Sequence, residues 1–64
     1  MDQREIFELA AILVNEHGQA AQRVAERRRA QYAHEPRSDG YRLWGRIVAA
    51  TARLLQSRQR REAG

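Results

Sequence analysis

A chain of 64 residues with 12 Lys+Arg against 8 Asp+Glu has room for one domain and only a small hydrophobic core. It has no cysteine, which excludes disulfides and thiolate metal sites, and its longest apolar run, Leu9 to Val14, is too short to span a bilayer. Asp2 and Glu5 also break the pattern of a signal peptide, so a cytoplasmic protein without a membrane span is expected.

All 12 basic residues are arginine, and the net charge is +4. A planar guanidinium suits carboxylate and phosphate, yet a chain without lysine is also what a GC-rich genome produces, so distribution says more than choice. Asp2, Glu5, Glu8 and Glu16 outnumber Arg4 in the first segment, whereas arginine dominates from Arg23 onward. The molecule is expected to be electrically polarised.

Asp2-Gln3-Arg4-Glu5 has the form of a capping box, with Asp2 as N-cap. Ile6, Phe7, Leu9, Ala10, Leu13 and Val14 then make one apolar arc, predicting a first helix over about 3–17. Ile12 lies off that arc, on the flank of Glu5 and Glu16, where it is a candidate contact for a second copy or a partner. Gly18 follows the last periodic residue, where a helix end needs positive φ.

A second helix is predicted over about 19–34. Its inward face is thin: Ala20, Ala21, Val24, Ala25 and Tyr32. Arg28 points into that stripe, either laying its aliphatic stem over apolar surface or pairing with Glu5 or Glu16. The run Arg27-Arg28-Arg29 splays around the helix and is no single patch. A loop over 34–40 follows, with Pro36 disfavouring helical geometry at Glu35 and with Ser38 or Asp39 able to cap what comes next.

The third helix, about 39–59 with a polar tail over 60–64, organises the chain. Leu43, Trp44, Ile47, Val48, Thr51, Leu54 and Leu55 share one broad face, with Trp44 expected as a core anchor. Arg42, Arg46, Arg53 and Arg60 share the opposite face, with Ala49 and Gln56 between them, and no acidic residue interrupts the span from Tyr41 to Arg61. The whole reads as an all-α, compact three-helix domain: two shorter helices and a longer, basic, amphipathic C-terminal one.

The run His17-Gly18, the alanines and Arg28 after it, then Gly40-x-x-x-Trp44-x-Arg46-Ile47 followed by Ala49-Ala50 and Leu54, resembles a family of very short helical proteins common in alphaproteobacteria. The second connection departs from the family's Gly-Asp, having Pro36-Arg37 instead. The resemblance implies the helical fold and brings no activity with it.

No catalytic constellation is present: the chain lacks a nucleophile beside a base, a phosphate-cradling glycine loop and a paired-carboxylate cleft. His17, near a helix C-terminus, is read as a structural partner of terminal carbonyls, since a metal would need several convergent ligands. No enzyme, cofactor, metal or small-molecule substrate is therefore expected. The residues with functional content are Arg42, Arg46, Arg53 and Arg60. They are either a solvated face, a contact for a protein partner or a second copy, or a sequence-indifferent phosphate-binding ridge for nucleic acid.

Overall fold

The computed structural model describes the backbone of residues 2–63 and the side chains of residues 2–60, and among them there is helix and no strand. Helix falls in two stretches rather than three, because residues 3–30 run on through a tight 3-10 turn with no loop between. The first stretch comprises α1, Gln3–His17, the 3-10 turn Gly18–Ala20, and α2, Ala21–Ala30. The second stretch is α3, Asp39–Ala63.

Local chemistry sets these limits. Asp2 adopts extended geometry, and its carboxylate accepts the Glu5 N–H at 2.9 Å, closing the start of α1. Gly18 closes its end at φ 58 and ψ −130, with its N–H donated to the Val14 carbonyl. That pair of angles is the first central position of a type II′ turn, which a Cβ does not tolerate. One residue thus reverses the chain, which is why no loop is needed.

The second helix is shorter than its periodicity predicts. It opens as a 3-10 turn, leaving Ala20 exposed, and past Ala30 the backbone bonds shift to three-residue steps: Gln31 to Arg28, Tyr32 to Arg29 and Ala33 to Ala30. Pro36 cannot be approached through α-helical geometry at Glu35, so the turn tightens ahead of it. The loop therefore spans 31–38. Ser38 is the residue that caps α3, its Oγ accepting the Tyr41 N–H at 3.2 Å, while Asp39 lies in the first turn. At the other end α3 continues through 60–63, where a polar tail was expected; the last residue of that tail, Gly64, lies outside the described residues.

Residues of the first half of α1 line one hollow with Arg46 and Arg53, and residues of its second half line another with Leu54 and Arg58, so α1 runs parallel to α3. Arg29, at the end of α2, meets Tyr41, at the start of α3, so α2 runs antiparallel to both. The core cluster is Ile6, Ala10, Ala25, Ile47 and Ala50, with Phe7, Leu13, Leu43, Trp44, Val48 and Leu54 packed against it. Ala10, Ala21 and Ala25 are fully buried, which lets the three helix axes approach closely although each alanine buries little apolar area. Trp44 packs on the edge of this cluster, and the fully enclosed centre of the α3 face is Ile47 with Thr51. The Thr51 hydroxyl donates to the Ile47 carbonyl at 2.7 Å, which removes the cost of burying it.

Burial along α3 stops at Leu55; Gln56 to Arg60 are exposed on every side. No described helix is long and apolar enough to cross a membrane.

Candidate interaction surface

The arginines of this protein divide by what they meet. On the inner seam between α2 and α3, Arg29 donates to the Tyr41 hydroxyl at 2.8 Å, and its guanidinium carbon stands 4.6 Å from the centre of the same ring. The side chain crosses beside Gly45, where an added Cβ would lie 3.9 Å from Arg29 Nε, an ordinary van der Waals distance. Arg28, expected to point inward, is exposed, and its neighbour Arg29 takes the inward place. The cause is the register of the buried face of α2. With Ala21 and Ala25 fully buried, the next position of that stripe, a turn further on, is Arg29.

Arg42, Arg46, Arg53 and Arg60 are all exposed on the outer side of α3. Among the described residues none of the four is within ion-pair distance of a carboxylate. Arg42, Arg46 and Arg53 stand over the body of the fold, whereas Arg60 lies beyond the last buried residue, Leu55. Arg46 and Arg53 flank a groove of about 380 Å³ whose floor is formed by Ile6 and Phe7 of α1 with Ala49 and Ala50 of α3. A second hollow of about 460 Å³ lies on the other side of Arg46, against Asp39, Gly40, Arg42 and Leu43. Arg46 is common to both.

Ile12 is 51% exposed, as its off-arc position implies, and it is not alone. Leu9, expected within the apolar arc, is 37% exposed and stands beside it on the outer side of α1. Glu5 and Glu16 bracket the two, both exposed. Leu9 is the residue that the periodicity misplaces. The arc of α1 is wider than the alanine-lined seam can cover, so its edge remains in solvent. The signal was present as the regular 4-3-4 spacing of Glu5, Leu9, Ile12 and Glu16.

The remaining polar groups do not converge. His17 Nε2 lies 3.9 Å from Glu16 Oε2 at the exposed end of α1, and His34 sits in the 31–38 loop. Among the described residues no three His, Cys, Asp or Glu side chains group as a metal site. Tyr32 is 38% exposed and its ring covers Gly40, where an added Cβ would come within 2.6 Å of the ring. That contact holds the 31–38 loop against the start of α3.

Comparison with protein-family models, with curated proteins and with solved structures gave no match, so the functional reading rests on this geometry.

Proposed function

We propose that this chain is a small non-enzymatic helical interaction module that binds a protein partner, or itself, through its charged faces. The observation that carries the reading is that Arg42, Arg46, Arg53 and Arg60 are exposed on α3 without a carboxylate partner among the described residues, two of them on the rim of an apolar-floored groove. A guanidinium on a groove edge selects a carboxylate, and an apolar floor accepts an aliphatic side chain; together they fit an amphipathic helix with acidic edges. The resemblance to very short helical alphaproteobacterial proteins is compatible with such a role and adds no activity to it.

A second reading has its own support. The same ridge spans about five turns of helix with no acidic residue between Tyr41 and Arg61, which suits the phosphates of a nucleic acid. No side chain on the ridge is placed to read bases, so such binding is sequence-indifferent.

One titration separates the two. Fluorescence anisotropy is measured with an acidic amphipathic helical peptide and with a duplex DNA of arbitrary sequence. The protein carries either its own ridge or the pair Arg46→Gln and Arg53→Gln. The module reading expects peptide binding that weakens about tenfold or more in the double variant. The nucleic-acid reading expects duplex binding that falls steeply with salt, with a slope shallower by about 2 after the substitutions. Binding of neither probe, or binding indifferent to both substitutions, overturns the ridge as the contact surface.

A further inference from the structure

Two stripes of this molecule are written to the same ruler. On α1, Glu5, Leu9, Ile12 and Glu16 stand at steps of four, three and four residues; on α3, Arg42, Arg46, Ala49 and Arg53 stand at the same steps. Steps of this kind stay close to the 3.6-residue period, so each set forms a single line along its helix. All eight residues are exposed. The end charges of each stripe are about 16 Å apart, at a rise of about 1.5 Å per residue. One stripe ends in carboxylates and the other in guanidinium groups.

We propose that a second copy of this chain occupies the α3 ridge, presenting its α1 stripe to Arg42, Arg46, Ala49 and Arg53. This deepens the interaction-module reading and rests on it. The 4-3-4 pattern reads the same in both directions, so either relative orientation of the helices brings both carboxylates opposite the two end arginines. In either case one of Leu9 and Ile12 faces Ala49, beside the groove floored by Ile6 and Phe7, and the other lies along the methylene stem of Arg46. Large opposite small, and acid opposite base, are the two complementarities that a helix pair needs.

A contact within one chain is ruled out by where the stripes look. Ile6 and Ala10 hold the opposite side of α1 in the core, and Ile47, Thr51 and Leu55 do the same for α3. The pairing is therefore between copies, with α1 of one on α3 of another. A nucleic acid would account for the arginines and leave Leu9 and Ile12 without a role; a second copy accounts for both patches. The surface in play is that of one short helix pair, below the size of a stable dimer interface, so the association is weak and salt-sensitive.

The test is a charge exchange read by sedimentation equilibrium on nuclease-treated protein at low ionic strength, with helical content checked by circular dichroism. The natural chain is expected to rise above monomer mass with concentration. Glu5→Arg with Glu16→Arg, and separately Arg42→Glu with Arg53→Glu, are each expected to weaken association about tenfold or more, since like charges then face each other. An equimolar mixture of the two variants is expected to recover it, because each supplies the sign that the other lacks. A natural chain that stays monomeric throughout, association lost on nuclease treatment, or a mixture no better than its components overturns the proposal. Monomeric protein that still binds the acidic peptide through Arg46 and Arg53 removes the second copy and leaves the module; loss of both removes both.

Discussion

Arg29 and Arg46 flank the same helix, yet one is locked and the other free. Arg29 reaches across the α2–α3 seam over Gly45 and ends on the Tyr41 ring and hydroxyl. Arg46 leaves the opposite side of α3 and stands exposed on the rim of a groove. The difference does not come from the arginines. It comes from what faces them: the hydroxyl and ring of Tyr41 across a helix seam in one case, open solvent in the other. In a chain whose basic residues are all arginine, count and local clustering say little about which are available; the seam decides.

The two sides of α3 part most sharply at adjacent positions. Ile47 is fully buried and touches the core from both other helices, whereas Arg46 beside it is exposed. Ile47→Ala is expected to cost about 2–5 kcal/mol, a large share of what so small a domain has, and to flatten its thermal transition. Arg46→Ala should stay within about 0.5 kcal/mol of the natural chain in the same melt. Equal effects would mean that the helix is not anchored through the Ile47 face.

The seam also depends on the joint that brings α2 back onto α3. Gly18→Ala meets no neighbouring atom within 4 Å, so any loss must come from forcing a side chain into φ 58, ψ −130. The expected cost is about 1–3 kcal/mol in chemical denaturation. Gly18→Asn is expected to lose as much, because asparagine tolerates left-handed helical geometry but not this turn. Rescue by asparagine would show that the joint relaxes to an ordinary left-handed cap.

Much of this was legible beforehand for physical reasons. Asp2 and Gly18 announce the ends of α1 because capping is a matter of one side chain or one dihedral pair. The opposition of Ile47 and Thr51 to Arg42, Arg46 and Arg53 follows from helical period alone. What periodicity could not give was the ending of α2, set by the loop's three-residue bonding ahead of Pro36, or the choice between Arg28 and Arg29, which lie three and four residues after buried Ala25. Nor could it place Leu9. Whether the edge of an apolar arc is covered depends on how wide its neighbours are, and alanines make a narrow neighbour.

The smallest effect is also the one closest to the opening contrast. Arg29→Met keeps the stem that lies over Gly45 and removes the hydrogen bond to Tyr41 and the charge over its ring. Each of these is a partly solvated interaction, so together they should cost about 1 kcal/mol by equilibrium denaturation. Arg28→Met, one position away and exposed, should cost nothing measurable, although in one dimension the two residues belong to the same basic run. Tyr41→Phe supplies the internal check: it removes the hydroxyl and leaves the ring, so it should lose part of the Arg29→Met effect and add little on top of it. If Arg28→Met proves the more damaging substitution, the register of α2 and the seam it builds are wrong, and the assignment of Arg46 and its companions to the free side loses the contrast that defines it.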